Sequence, residues 1–165
     1  MVKEVYIMDI YSRVVEKGLP GRFDYLDHMS DVFVVSYGKD IVELFENAGV
    51  ALFHTMVDIN SVETILEKNV VAEGFDLENT LYKWLEELLI LYYSEKMICR
   101  EINIGEIVVK KINDELKYLV RGLCRGEIFD QNKHIGKLEV KSPTYSLMRI
   151  LKNSNGWKAY FVLDI

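Results

Sequence analysis

Cysteine is scarce in this sequence. Only two are present, Cys99 and Cys124, and neither belongs to a CxxC or CxxH motif. Such motifs are typical of zinc sites and of thioredoxin-like redox sites, so neither class is indicated. Both cysteines lie in segments with a strand pattern, and we expect them to be buried free thiols in a reducing cytosol. A disulfide or a zinc pair is the alternative.

Long hydrophobic runs are also missing. No apolar stretch approaches the roughly 18 residues that a membrane-spanning helix needs. Near the N-terminus, Asp9 and Arg13 interrupt the short apolar stretch in which a signal peptide would have its hydrophobic region. We therefore expect a cytoplasmic protein that makes no contact with a membrane.

The chain has no surplus of basic residues. It carries 20 Lys and Arg against 26 Asp and Glu, a net charge of −6. Direct nucleic-acid binding is not expected, because the phosphate-neutralising side chains are not in excess. A Walker loop, a GxGxxG motif and a basic-aromatic strip are absent as well. With 165 residues, half of them hydrophobic, the chain is long enough for one domain with a full core.

Hydrophobic periodicity predicts two main helices. The first extends from Asp76, a suitable N-cap, to Tyr93. The second extends from Lys39 to Val57, with Asp40 as its candidate cap. Strands are predicted around them, with turns at Asn113-Asp114 and Asn155-Gly156. The predicted strands are Val32–Tyr37, Asn69–Phe75, Met97–Ile112, Leu116–Cys124, Lys137–Ser142, Thr144–Lys152 and Trp157–Asp164. Two helices packed on a mostly antiparallel sheet make an α+β domain.

Residues 1–22 are interpreted as an N-terminal extension of a domain that covers residues 23–165. The segment VYIMDIYSRVV fits either one strand or a short helix, and GLPG breaks the chain after it.

Two places could hold a hard cation such as Ca²⁺ or Mg²⁺, which prefers oxygen ligands. The first is the cluster of Asp27, His28 and Asp31, whose alternative interpretation is a solvated turn. The second is the C-terminus, where Asp164 and the α-carboxylate of Ile165 would stand side by side at the end of a strand. Two adjacent anions repel each other unless a cation or hydrogen bonds compensate. A frayed, solvated end is the alternative there.

Several separated motifs resemble one family, the archeases. These are YLDHMSDV, YGKDIVELFENAGVALFHTMVD, GFDLENTLYKWLEELL, HIGKLEVKSPTYSLMRI and the final LDI, which occur in the family's order over roughly residues 23–165. The resemblance implies the family's α+β fold, described as one SHS2-type module inserted in a second one. It also implies a non-enzymatic accessory protein in tRNA splicing, which stimulates guanylylation and turnover of an RtcB-type RNA ligase. A chaperone-like modulator of a tRNA methyltransferase is the family's other described role.

The resemblance also implies a metal site. Its ligands would be Asp31, Asp164 and Ile165, and we expect them to hold a divalent cation, Ca²⁺ rather than Mg²⁺. Asp27 and His28 are candidate second-shell residues. The residues indicated for partner contact are His134, which lies in a predicted loop, and Lys141, Tyr145 and Ser146, which lie in the stretch that resembles the family. The chain departs from the family pattern at Met29-Ser30, which replaces Thr-Ala, and at Ser146, which replaces a histidine.

A function of a different class is a metal-dependent hydrolase. Asp31 and Asp164 would then be metal ligands and His28 the general base. Few other acid–base groups accompany these carboxylates in the sequence, which weighs against catalysis.

Overall fold

The computed structural model describes residues 10–165. Residues 10–12 are helical, and a 3-10 turn follows the first long helix at Ile59–Ser61. The two long helices are α1 (Ile41–Met56) and α2 (Leu77–Glu95). The strands are β1 (Val14–Lys17), β2 (Phe23–Leu26), β3 (Val32–Gly38), β4 (Leu66–Gly74), β5 (Met97–Ile112), β6 (Glu115–Ile128), β7 (Ser142–Asn153) and β8 (Gly156–Asp164).

These strands form two antiparallel sheets where the sequence predicted one. The larger has the order β1-β2-β3-β8-β7, and the smaller has the order β4-β6-β5. The smaller sheet and α2 come from a continuous part of the chain between α1 and β7, so one α+β unit is inserted into the other. The α+β prediction is confirmed, and the insertion agrees with the fold that the resemblance implied.

Strand β3 lies at the centre of the larger sheet. Val34 and Val35 alternate between the two faces of this strand, and both are buried (0% and 1% exposed). On one face Val34 joins the main hydrophobic core beneath α1. On the other face Val35 belongs to a smaller cluster, against which Tyr11 from the N-terminal extension packs. The prediction of a central strand covered on both faces is therefore confirmed.

Both long helices begin at the predicted caps. The Asp40 carboxylate accepts from the Glu43 amide at 2.8 Å, and the Asp76 carboxylate accepts from the Asn79 amide at 2.7 Å. Each cap satisfies an amide that has no partner within the helix. The helices meet in the core, where the indole of buried Trp84 donates to the Phe45 carbonyl at 3.1 Å. This bond ties the inserted unit to the outer one.

The hairpin turn between β5 and β6 is confirmed, since Asn113 and Asp114 both have positive φ (52° and 63°). The segment predicted as a strand or a short helix contains both, since residues 10–12 are helical and β1 begins at Val14. Its residues 5–9 lie outside the described residues. A strand predicted at Lys137–Ser142 is wrong except for Ser142, with which β7 begins. The segment before it instead runs along the end of α1, where Lys137 N donates to the Met56 carbonyl at 2.8 Å.

The expectation of free thiols is also wrong. Cys99 and Cys124 form a disulfide between β5 and β6, and both residues are buried. Without the free thiols, cysteine usage no longer supports a reducing compartment.

Candidate metal centre

The ends of β3 and β8 bring the predicted metal ligands to one edge of the larger sheet. Val32, the first residue of β3, pairs with Leu163. Asp31 precedes Val32 and Asp164 follows Leu163, so the next position of this antiparallel register places the two aspartates opposite each other. Both residues are half-buried. Residues 133 positions apart in the sequence are thus adjacent because of strand pairing alone.

The C-terminus lies against the domain. Asp164 pairs with Ser142 on β7, and its carbonyl accepts a hydrogen bond from Lys141 N at 2.7 Å. The Ile165 side chain packs against the main core. Residue Ile165 is therefore held at the same end of the sheet as the two aspartates, and the frayed-end alternative does not describe it.

No side chain among the described residues compensates the carboxylates of Asp31 and Asp164. Within residues 10–165 neither has a cationic side chain within 4.0 Å or a hydrogen-bond donor. Across the same residues no group of three or more His, Cys, Asp and Glu side chains is arranged to hold a metal. The predicted set differs from such a group, since its third ligand would be the carboxylate or the backbone oxygen of Ile165. Three oxygen sources of this kind fit a hard cation, which accepts water in its remaining positions.

The residues expected in the second shell have other partners. His28 holds the loop, because its Nδ1 accepts from the Asp31 amide at 3.4 Å while its ring packs edge-on against Phe33. Asp27 pairs with Arg13 of the extension at 3.3 Å. His28 thus orients the backbone of a proposed ligand, whereas the Asp27 carboxylate is directed to the extension.

Residue His134 lies where a partner cannot reach it. Its side chain is fully buried, with Nε2 at 2.7 Å from a Glu127 carboxylate oxygen. Its Nδ1 accepts from the Asp130 amide at 2.9 Å. The loop position indicated a partner contact, but the structure gives His134 an internal role in closing that loop.

Three other candidate partner residues are exposed near the proposed metal ligands. Lys141 precedes the first residue of β7, and Tyr145 and Ser146 follow within that edge strand. The Tyr145 ring stacks on Tyr82 of α2 with centroids 4.2 Å apart, and its hydroxyl accepts from Asn79 at 2.6 Å. Tyr145 is still 53% exposed, so it is held in place while open to contact.

Sequence reasoning missed Arg149 and Lys158, which share one face of the larger sheet with several tyrosines. Alternation along β7 and β8 is visible in the sequence, but it does not show which side chains of the two strands face the same way. That depends on the register, which pairs Arg149 with Tyr160 and Leu151 with Lys158.

Comparison with known proteins agrees with this architecture. Residues 23–165 match the model of the archease protein family (MTH1598/TM1083). The chain belongs to the archease family. Among curated archeases it is 38% identical to the one from Sulfurisphaera tokodaii over 144 residues, 87% of this chain and 99% of the relative. It is 37% identical to the Pyrococcus furiosus archease over 145 residues, with the same coverage of 87% and 99%.

A solved archease-family structure has a similar fold. The solution structure of Methanobacterium thermoautotrophicum protein 1598 superposes with a TM-score of 0.68 at 31% identity, covering 87% of this chain and 98% of that one. Family membership supports an accessory protein in RNA processing and is consistent with a role that is not catalytic. Among residues 10–165, no helix combines the length and the apolar character needed to cross a bilayer.

Proposed function

We propose that this archease is a non-enzymatic activator of an RtcB-type RNA ligase in tRNA splicing. It would stimulate guanylylation and turnover of the ligase through an acidic tip that carries a divalent cation. The tip consists of Asp31, Asp164 and the Ile165 carboxylate. One observation carries the proposal: the register places two half-buried aspartates at facing positions, and neither has a cationic partner among the described residues.

Such a pair favours a bound cation for an electrostatic reason. Two like charges at adjacent positions destabilise the fold unless something neutralises them. A hard divalent ion would do so through the two side chains and the terminal carboxylate, and Ca²⁺ accepts this kind of irregular oxygen set more readily than Mg²⁺. When bound, the ion supplies a fixed positive charge with open coordination positions toward a partner.

The protein surface around the tip suits a partner contact. Met29 lies in the same loop as Asp31 and is fully exposed (102%). Lys141 is exposed beside Asp164, whose carbonyl its amide contacts. An apolar side chain and a cation therefore flank the carboxylates.

Ligase stimulation tests the proposal directly. Purified RtcB-type ligase is assayed for guanylylation with wild type, Asp31→Ala and Asp164→Ala. We expect both variants to keep the thermal stability of the fold and to lose stimulation. Asp27→Ala serves as the control, because its carboxylate pairs with exposed Arg13 instead of facing Asp164. Normal stimulation by both variants of the tip would overturn the proposal.

A second candidate is a chaperone-like modulator of a tRNA methyltransferase, which the exposed Met29 side chain favours. In that case apolar contact would matter and the ion would not. Suppression of methyltransferase aggregation that is unchanged by a chelator and lost in Met29→Ser would support it.

A metal-dependent hydrolase is the remaining alternative. It would require turnover of phosphoesters with Mg²⁺ or Mn²⁺ above background, and Asp31→Ala should abolish that turnover.

A further inference from the structure

The face of the larger sheet that points away from α1 carries a cavity of about 780 Å³. Residues from the N-terminal extension form one wall, and the side chains of β3, β7 and β8 form the floor and the other walls. Its lining includes Tyr11, Tyr37, Tyr160, Leu151, Arg149 and Lys158. A cavity of this size with apolar walls and a few polar groups is typical of small-molecule sites.

Strand register places the two cations of this cavity on the same face. Arg149 pairs with Tyr160, and Lys158 is two residues from Tyr160 on β8. Side chains two apart on a strand point to the same face, so Arg149 and Lys158 occupy diagonal positions around Tyr160. Each cation also lies over a tyrosine ring. Arg149 is 5.4 Å from the Tyr11 centroid and Lys158 is 5.8 Å from the Tyr37 centroid.

Neither cation is neutralised by an acid. Within the described residues, Arg149 and Lys158 have no carboxylate oxygen within 4.0 Å. This is notable in a chain with more acidic than basic residues, where most other exposed lysines and arginines of the sheets form ion pairs. Two uncompensated positive charges in one concave site attract an anion.

Asp24, an acid on this face, is already engaged. Asp24 pairs across the sheet with Val35, which lines the cavity. Its carboxylate accepts from the Tyr37 hydroxyl at 2.9 Å and lies 4.0 Å from the Lys17 ammonium. Burial, together with this bond to Asp24, raises the pKa of Tyr37, so its hydroxyl stays protonated and keeps Asp24 occupied.

Flat apolar surface surrounds the cations. Tyr160 is 7% exposed, and its ring is 4.9 Å from the Tyr11 ring in an edge-on arrangement. Burial raises the pKa of Tyr160, so its hydroxyl remains a hydrogen-bond donor at neutral pH. The cavity therefore offers ring surface, a hydroxyl and two cations together.

Part of this cavity is built by the extension, which lies outside the family match. The family match begins at residue 23, so Tyr11 and Val14 lie before the matched part. The Sulfurisphaera tokodaii relative is covered over 99% of its length by 87% of this chain, which leaves no counterpart for most of the extension.

We propose that this cavity binds a small anion that carries a planar ring, as a nucleoside monophosphate or an aromatic carboxylate does. The guanidinium of Arg149 and the ammonium of Lys158 would hold the anionic group, since both cations donate hydrogen bonds to phosphate and carboxylate oxygens. The ring would lie against the tyrosines. This site is separate from the acidic tip and independent of the ligase proposal.

Calorimetric titration of the full chain at low salt tests the proposal. The probes are adenosine monophosphate, indole-3-carboxylate, adenosine and inorganic phosphate. We expect at least one of the first two to bind about tenfold more tightly than adenosine and phosphate, because only they combine ring and charge. Comparing these two decides between a phosphate and a carboxylate as the anionic group.

Variants assign the binding to the cavity. Arg149→Gln and Lys158→Gln should each weaken binding of the tighter probe by about tenfold. Lys152→Gln is the matched control, because Lys152 also lies over a ring, 5.6 Å from the Trp157 centroid, but outside the cavity. The Lys152→Gln variant should bind the tighter probe with the wild-type affinity. No saturable binding of either ring-bearing anion, or equal loss in all three variants, would overturn the proposal.

Discussion

His134 Nε2, in the loop after β6, lies 2.7 Å from a carboxylate oxygen of Glu127 near the end of β6. Because the Asp130 amide donates to Nδ1 of the same ring, the proton of the imidazole is on Nε2, and it is donated to Glu127. Glu127 also accepts from the Glu63 amide at 2.9 Å and from Lys133 at 3.0 Å. One buried carboxylate therefore joins the segment before β4 to the loop after β6.

This network predicts a stability that depends on pH. Burial raises the pKa of Glu127, but the hydrogen bonds from the Glu63 amide, His134 and Lys133 outweigh it and lower the pKa to about 2. A depressed folded-state pKa adds stability above the unfolded value, near 4.5, and loses it as the pH falls toward 2. Glu127→Gln should lower the free energy of unfolding by about 2 kcal/mol at neutral pH and by much less near pH 2.

Denaturant unfolding at a series of pH values measures this difference. Glu67→Gln is the control, since Glu67 forms an exposed ion pair with Arg125 at 3.2 Å, and such pairs contribute little. A difference between wild type and Glu127→Gln that stays constant down to about pH 2 would contradict the prediction.

The disulfide predicts sensitivity to reduction. Cys99 and Cys124 are 25 residues apart, and closing a loop of that length stabilises a fold by roughly 3 kcal/mol, mainly by restricting the unfolded chain. Full reduction should lower the melting temperature of wild type by several degrees, and the double variant Cys99→Ala, Cys124→Ala should melt near the reduced form. Reductant should not affect the double variant. Identical melting of oxidised and reduced wild type would mean that the bond does not stabilise the fold.

Much of the fold follows from local sequence signals. Asp40 and Asp76 are predicted caps because an aspartate before an apolar period satisfies free amides, and both helices begin there. The Asn113-Asp114 turn is equally local, since these residues tolerate positive φ.

Features that depend on pairing between distant segments could not be predicted in this way. Cys99 meets Cys124 only through a register that shifts by a bulge between Cys99 and Glu101. His134 is buried with its Nε2 hydrogen-bonded to Glu127, and the sequence shows only a polar loop there. The segment before β7 alternates like a strand, yet it bonds to the end of α1 instead of a sheet.

In the candidate site, too, single residues are indicated by local sequence, whereas their proximity depends on strand pairing. The sequence indicates each carboxylate of the tip separately, and family resemblance joins them. The structure adds the physical reason, which is the pairing of Val32 with Leu163. Arg149 and Lys158 have no motif, so only the register reveals that they share a cavity.

Direct ion binding provides the third prediction. Ca²⁺ should raise the melting temperature of wild type, because it binds the folded state and offsets repulsion between Asp31 and Asp164. Asp31→Asn and Asp164→Asn should each weaken Ca²⁺ binding by more than about tenfold in calorimetry, while Asp27→Asn leaves it unchanged. Mg²⁺ should bind more weakly than Ca²⁺. Equal Ca²⁺ affinity in wild type and both variants of the tip would contradict the assignment of these ligands.

Residues beside the tip provide the fourth prediction, which concerns partner contact. Tyr145 is fixed by its stack on Tyr82 and its hydrogen bond from Asn79, so it presents a rigid, half-exposed ring without a large entropic cost on binding. Tyr145→Ala should reduce ligase stimulation severalfold, and Tyr145→Phe should retain most of it, because the ring stack survives the loss of the hydroxyl. Lys141→Ala should also reduce ligase stimulation.

The control is Lys110→Ala on the β5–β6 hairpin, which belongs to the other sheet and should leave stimulation unchanged. Ligase guanylylation rates measured against archease concentration separate weaker binding to the ligase from a lower maximal stimulation. A contact residue raises the concentration needed for half-maximal stimulation, because its loss weakens the complex. If Tyr145→Ala instead stimulates at wild-type concentrations and to the wild-type maximum, the edge of β7 is not part of the interface.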